Sequence, residues 1–168
     1  MAEKSFIDFL QPFITPTIII IGWIFVSRDN DRRETRKELR AIINEINKKI
    51  DELVSHSNTY LTEIDNKKSE GEAQKKEILI KQLIDRLDLS LQIIQEMDIT
   101  YKGINKSFED LTDTITGNKK FESRSFAGIL TTNDPQILSI FLAAKKLNEE
   151  LELTFINTQI KKRCSWYD

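Results

Sequence analysis

The sequence predicts an all-α protein, with a single N-terminal transmembrane helix followed by a cytoplasmic bundle of long heptad-patterned helices. The bundle is expected to be an antiparallel hairpin plus a third helix. Three observations favour this fold: one long apolar run, apolar residues spaced by three and four over most of the remaining chain, and only 5 glycines and 3 prolines among 168 residues. We expect the N-terminal tail and transmembrane helix in residues 1–27, the bundle in residues 28–163 and a short tail in residues 164–168.

An apolar segment near the N-terminus predicts the transmembrane helix. Residues 14–26 carry no charge, and extended back to Phe6 the segment covers 21 residues. As a helix it would be about 32 Å long, which suffices for a bilayer core of about 30 Å. Trp23 and Arg28 suit the edge of a membrane. A core helix buried within a protein is the alternative interpretation of this segment.

Basic residues around the segment predict its orientation. Only Lys4 and the amino group precede it, whereas six basic residues follow it closely: Arg28, Arg32, Arg33, Arg36, Lys37 and Arg40. Because basic residues are retained on the cytoplasmic side, we expect a single-pass protein of the inner (cytoplasmic) membrane. Its N-terminus would lie outside and its C-terminal body in the cytoplasm.

Two heptad seams, that is, rows of mostly apolar residues spaced alternately by three and four, predict the hairpin. The first predicted helix spans about 27–65, with a seam at Leu39, Ile43, Ile46, Ile50, Leu53, Ser57, Tyr60 and Ile64. The polar segment 65–72 is predicted to be the loop that connects the two helices. The second predicted helix spans about 77–116, with a seam at Ile80, Leu83, Leu87, Ser90, Ile94, Met97, Tyr101, Ile104, Phe108, Leu111 and Ile115. Since the two helices are almost equally long, the end near Gly117 is expected to return to the membrane surface.

Capping signals bound the last two predicted elements. Gly117-Asn118 predicts the end of the second helix. Asp134-Pro135 predicts the start of a third helix, with Asp134 as N-cap and Pro135 in the first helical position. That helix would run to about Ile160, with apolar positions at Ile137, Ile140, Phe141, Ala144, Leu147, Leu151 and Phe155.

The composition argues against enzyme chemistry. His56 is the only histidine and Cys164 the only cysteine, so neither a histidine-based triad nor a cysteine-rich zinc site can form within one chain. Glycine patterns for phosphate or dinucleotide binding are missing. We therefore expect no catalytic residues, no metal and no cofactor. The net charge of −2 argues against binding of long nucleic acids.

The segment 117–134, called here the 117–134 loop, is the predicted ligand site. Three cations alternate with two aromatic residues: Lys119, Lys120 and Arg124 with Phe121 and Phe126. Cations, aromatic faces and the free N–H groups at the start of the following helix suit an anion or a nucleotide. The alternative is an ordinary basic loop whose phenylalanines plug the end of the bundle, or which rests on anionic lipid.

The apolar segment has one polar face. Asp8, Gln11, Thr15 and Gly22 recur at three, four and seven residues, which places them on one side of a helix. Small and polar residues on one face favour helix contacts in lipid, and in a ring of helices they would line a pore. Alternatively, Asp8 and Gln11 simply lie among the outer lipid headgroups.

These expectations combine into one leading hypothesis, a small oligomeric membrane effector. Its cytoplasmic bundle would sense a ligand, such as a nucleotide second messenger, or a partner protein, and would then alter membrane integrity, as membrane effectors do in bacterial antiviral defence. The expected partners are membrane lipid, further copies of the chain and a nucleotide or protein trigger. The alternative is a passive membrane anchor or scaffold that recruits a partner through its coiled-coil-like helices.

Overall fold

The structure is a computed structural model that describes residues 6–121 and 128–164, with side chains except at 6–15, 99 and 159–164. Within these ranges all regular secondary structure is helical, which confirms the predicted all-α class. The elements in chain order are α1 (Phe6–Glu63), α2 (Glu70–Met97), a 3-10 helix (Ile99–Ile104), α3 (Asn105–Thr116) and α4 (Pro135–Cys164). The chain divides into two compact units, one up to Arg40 and one from Ala41 onward.

The first unit consists of the N-terminal part of α1. Its apolar residues from Ile18 to Val26 are exposed, with Trp23 71% exposed. The following turns are held by local contacts, such as the 2.7 Å ion pair between Arg33 and Asp29. Among the residues whose side chains are described, no helix has a stretch long and apolar enough to cross a membrane. The transmembrane helix therefore remains a prediction without support from the structure.

The second unit begins with an antiparallel pairing of α1 and α2, as the seams predict. Lys49 Nζ donates to Ser90 Oγ over 2.6 Å, and Tyr60 Oη lies 2.7 Å from Glu77 Oε1. Burial of the seams explains the pairing, because their apolar side chains leave water. The fully buried members include Ile43, Ile46, Ile50 and Leu53 on α1 and Ile80, Leu83, Leu87 and Ile94 on α2.

The predicted helix 77–116 is wrong, because α2 already begins at Glu70 and the chain breaks and reverses at Asp98. Asp98 has extended backbone angles, φ −149° and ψ 112°, and its carboxylate accepts from Thr100 N at 3.1 Å and from Thr100 Oγ1 at 2.6 Å. This local bonding offers the backbone an alternative to continuing the helix. The 3-10 helix follows at once, and Met97, placed in the predicted seam, is instead 42% exposed at the end of α2.

The reversal produces a second antiparallel pair, α3 and α4. The described chain therefore has four α-helices, where the sequence predicted three long ones after the N-terminal apolar segment. Ser107 Oγ donates to Glu150 Oε2 at 2.5 Å, and Lys146 Nζ donates to Asp110 Oδ2 at 2.9 Å. Lys146 lowers the pKa of Asp110, mainly through this hydrogen bond. The predicted start of α4 is confirmed, because Asp134 Oδ1 accepts from the backbone nitrogen of Gln136 at 2.8 Å.

The reversal also decides where the 117–134 loop lies. Within the second unit, Lys120 bonds to carbonyl groups at the C-terminal end of α1, so the loop lies at the end of the bundle opposite Ala41. The expectation that Gly117 returns to the end near the start of the bundle is therefore wrong. The physical reason is the additional turn at Asp98, which makes α3 run parallel to α1 rather than continuing α2.

Candidate functional site

The 117–134 loop begins with a turn that Asn118 organises. The backbone N–H of Gly117 donates to the carbonyl oxygen of Asp113 at 2.8 Å, and a Cβ at Gly117 would lie only 2.6 Å from that oxygen. The position therefore requires glycine. Asn118 Oδ1 then accepts from the backbone nitrogens of Lys120 and Phe121, both at 2.9 Å. These bonds turn the chain inward directly after α3.

Lys120 is buried in this turn, and all three N–H groups of its ammonium donate hydrogen bonds within the protein. Its side chain is 2% exposed, and Nζ donates to three carbonyl oxygens, those of Leu61 at 3.0 Å, Ile64 at 2.6 Å and Gly128 at 2.9 Å. An ammonium group has three protons, so no donor remains for a ligand. We call this set of three bonds the Lys120 clasp. It joins the end of α1 to the far side of the loop.

Burial also changes the charge equilibrium of Lys120. Loss of hydration lowers the pKa of the ammonium group below its ordinary value of 10.5, while the nearby carboxylate of Asp65 acts in the opposite direction. Burial disfavours the charged form of a lysine, and the three carbonyl oxygens replace part of the lost water. The arrangement suits a structural cross-link.

A second layer of polar groups holds the backbone of Lys120. Its carbonyl oxygen lies 2.9 Å from Tyr60 Oη and accepts from Asn66 Nδ2 at 3.0 Å. Tyr60 Oη also lies 2.7 Å from Glu77 Oε1, so its single proton is shared between two acceptors. Glu77 and Asn66 are both buried. The network therefore connects α1, the α1–α2 turn, α2 and the loop in one place.

Phe121 fills the end of the bundle beside this network. It is buried, and its ring meets Tyr60 edge to face with centroids 5.8 Å apart. Lys81 Nζ lies 6.0 Å from the centroid of the same ring. This position agrees with the alternative in which a phenylalanine of the loop plugs the bundle.

The structure thus separates the residues of the predicted ligand site. Lys120 and Phe121 are inside, whereas Lys119 is exposed. Arg124 and Phe126 lie outside the described residues. Ligand binding by the loop stays a prediction, and of the three predicted site residues that the structure describes, only Lys119 is exposed.

The predicted polar face of the apolar segment is described only in part. Asp8, Gln11 and Thr15 belong to α1, but their side chains lie outside the described residues. A Cβ at Gly22 would meet nothing within 4 Å, so this helix face is open there. The expected pore or helix-contact role of these four residues stays a prediction.

The sequence does not predict the residues that hold the backbone of Lys120 beside the Lys120 clasp. Tyr60 was recognised only as a seam position, and Asn66 only as part of a polar connection. Asn118 offered a signal, since asparagine after a helix-ending glycine commonly organises a turn. No local sequence signal marks Glu77, because its partner Tyr60 is 17 residues away and is brought close only when the α1–α2 hairpin forms.

A shallow groove of about 170 Å³ lies between α1 and α2, lined by Ile42, Glu45, Lys49, Arg86, Leu89, Ser90 and Ile93. Lys49 forms a 2.8 Å ion pair with Glu45 and lowers the pKa of that carboxyl group, chiefly by hydrogen bonding. Its bond to Ser90 also explains why a serine is tolerated in the buried seam of α2.

His56, the only histidine, is engaged on the surface of the α1–α2 pair. Its Nδ1 lies 2.7 Å from Lys76 Nζ, and its Nε2 lies 3.9 Å from Glu52. Among the described residues, no group of three or more His, Cys, Asp or Glu side chains is arranged to hold a metal ion.

Comparison of this chain with protein-family models, with curated proteins and with solved structures finds no match.

Proposed function

We propose that this protein is a small oligomeric membrane effector. The N-terminal part of α1 would lie in the inner membrane, with the helical bundle on the cytoplasmic side. The bundle would respond to a trigger, either a nucleotide second messenger or a partner protein, and the response would alter membrane integrity. An antiviral defence role would fit such a device.

One observation carries the membrane part of the proposal, the exposure of the apolar residues of the first unit. The large side chains exposed there are Ile18, Ile19, Ile20, Ile21, Trp23, Ile24, Phe25 and Val26. The surfaces of water-soluble proteins rarely expose so many contiguous apolar side chains, since each such side chain favours an apolar environment. The basic residues that begin at Arg28 favour the cytoplasmic side for the chain that follows.

The trigger part of the proposal rests on how the loop is attached. Lys120 and the backbone nitrogen of Leu130 both donate to the carbonyl oxygen of Leu61, at 3.0 and 2.9 Å. A trigger that displaced the loop would free carbonyl groups at the end of α1 and change the stability of the bundle. Lys119 and Arg124 are the proposed contacts for an anionic trigger, because the protons of Lys120 are already used.

Reconstitution into dye-filled liposomes tests the membrane part. The full chain should be retained on liposomes of phosphatidylethanolamine and phosphatidylglycerol. Ile20→Lys with Ile24→Lys should abolish retention, because both side chains lie in the exposed apolar segment. Leu89→Lys with Ile93→Lys is the matched control, an equally spaced and exposed pair on α2. Wild-type protein that stays in solution would overturn the proposal.

A second experiment tests the trigger. Linear and cyclic oligonucleotide messengers are added to the loaded liposomes, and leakage of dye is recorded. Lys119→Ala with Arg124→Ala should remove any response, whereas Lys102→Ala with Lys106→Ala, two exposed lysines before and within α3, should preserve it.

The second candidate function is a passive anchor or scaffold. It is favoured by an exposed apolar face on α2, formed by Ile78, Leu89, Ile93 and Met97, which a partner helix could cover. This candidate predicts retention on liposomes without leakage. It also predicts no thermal stabilisation by any of the nucleotides, because a ligand that binds the folded state must raise its stability.

A further inference from the structure

The outward side of α4 carries a second apolar face, separate from the one that builds the bundle. The core-facing side chains are Ile137, Ile140, Ala144, Leu147 and Leu151, all buried. The large apolar side chains on the opposite side, all exposed, are Leu138, Phe141, Leu142, Leu153 and Ile156. At helical spacing they form one stripe, about 27 Å long. Clusters of exposed large apolar side chains at both ends of such a stripe are typical of an interaction site.

The charges within this stripe indicate what covers it. Lys145 and Glu149 lie in its middle as an exposed ion pair, with Nζ and Oε1 3.6 Å apart. Most of the stripe is symmetric about residue 147: Lys145 and Glu149 are 2 residues from it on opposite sides, Phe141 and Leu153 are 6, and Leu138 and Ile156 are 9, whereas the counterpart of Leu142 is Glu152. Reversal of the helix direction therefore places four of the five apolar residues on apolar residues, and Lys145 and Glu149 each on the opposite charge.

We propose that the outward face of α4 pairs with the same face of a second copy of this chain, antiparallel, about a twofold axis at the level of residue 147. Lys145 of each copy then faces Glu149 of the other, Leu138 faces Ile156, and Phe141 faces Leu153. A twofold interface requires such self-complementarity, and two helices at their usual spacing of about 8–10 Å bring these side chains into contact.

Other occupants fit the face less well. An anionic lipid surface prefers apolar residues bordered by cations, whereas this stripe carries a carboxylate at its centre. An unrelated partner helix has no reason to match the inverted order of charges and apolar residues. Charge complementarity thus favours a second copy.

Reciprocal charge reversal tests the pairing on the full chain in detergent, with the mass of the particle measured by sedimentation. Wild-type protein should contain an even number of copies. Lys145→Glu or Glu149→Lys alone should halve that number near the midpoint concentration, because like charges then face each other twice. The dissociation constant should rise about tenfold, which corresponds to about 1.4 kcal/mol. The double reversal should restore the wild-type mass. A wild-type monomer, unaffected single variants or a double variant that stays dissociated would each overturn the proposal.

A matched pair of leucines separates pairing from folding. Leu153 on α4 and Leu89 on α2 are both 58% exposed, so aspartate at either site leaves the core intact. Leu153→Asp should raise the dissociation constant about 100-fold or more, since each dimer would bury two unpaired charges. Leu89→Asp should leave it unchanged. Equal dissociation by both variants would show that the interface is not specific to α4.

The inference rests on the oligomeric part of the proposed function, yet the two fail separately. Protein that enters liposomes and releases dye as a monomer would overturn only the pairing. Protein that pairs through α4 but stays away from liposomes would overturn only the membrane activity.

Discussion

The ammonium nitrogen of Lys120 lies 3.0 Å from the carbonyl oxygen of Leu61, which also accepts the backbone N–H of Leu130 at 2.9 Å. The last carbonyl groups of a helix have no partner within it and must find donors elsewhere. In α1 these donors come from a loop that lies about sixty residues further along the chain. The end of α1 and the 117–134 loop therefore stabilise each other.

Removal of the Lys120 ammonium group should strongly destabilise the bundle. Lys120→Met keeps the aliphatic stem but removes one donor from each of three carbonyl oxygens, of which that of Leu61 keeps the N–H of Leu130. We therefore expect a loss of about 3 kcal/mol in the free energy of unfolding. Urea unfolding of the full chain measures it. Lys119→Met is the control, because that neighbouring side chain is exposed and its replacement should cost within about 0.5 kcal/mol. Equal losses would contradict the clasp.

The pKa of Lys120 predicts a pH dependence of known sign. Burial lowers this pKa below 10.5 in the folded protein, so between the folded value and 10.5 the unfolded chain binds more protons. Stability rises with pH wherever the unfolded state is more protonated. The free energy of unfolding of wild-type protein, relative to Lys120→Met, should therefore increase as the pH approaches about 10.5. Paired urea titrations over a pH series check this, and a difference that shrinks with rising pH would refute it.

Asp98 should be required for the chain reversal between α2 and α3. Asp98→Ala removes the acceptor for Thr100 N and Thr100 Oγ1, and loss of such a cap costs about 1 kcal/mol. Asp98→Asn keeps one side-chain oxygen in place and should retain most of the stability. Thermal unfolding of both variants measures the difference. If asparagine were as harmful as alanine, the hydrogen bonds would not be the cause.

The seam of α2 can be tested with two neighbouring leucines. Leu87 is fully buried, whereas Leu89 is exposed on the other side of the helix. Leu87→Asp buries an unpaired charge and should cost about 3 kcal/mol or more, while Leu89→Asp should cost about 0.5 kcal/mol or less. Chemical unfolding monitored by helical circular dichroism gives both values. Similar losses at the two positions would mean that the register of α2 is incorrect.

Local signals predicted much of the fold. The stop at Gly117 and the start of α4 at Pro135 depend on residues adjacent in sequence, and both are confirmed. The predicted connection 65–72 is only partly correct, because residues 70–72 already belong to α2. The break at Asp98 escaped prediction for a specific reason. The spacing of three and four continues through Met97, Tyr101 and Ile104, so periodicity alone cannot distinguish one long helix from a helix that reverses.

The candidate site shows the same division. The sequence predicts Lys119, Lys120 and Phe121 as part of one ligand site, and in that prediction the two lysines are equivalent. In the structure one lysine is exposed and the other is buried. Nothing in the local sequence distinguishes them, because the groups that bury Lys120 belong to α1 and to the far side of the loop.

The sequence by itself determined that the described chain is mainly helical, where most of its buried apolar positions lie (Met97 and Phe141 excepted) and where α3 ends and α4 begins, because helix periodicity and capping act over a few residues. Tertiary structure decided that the chain reverses at Asp98 and that Lys120 fastens the end of α1. It also decided which apolar face of α4 points away from the bundle. These outcomes depend on contacts between residues far apart along the chain, such as Lys120 with Leu61, and such contacts exist only after the helices have assembled.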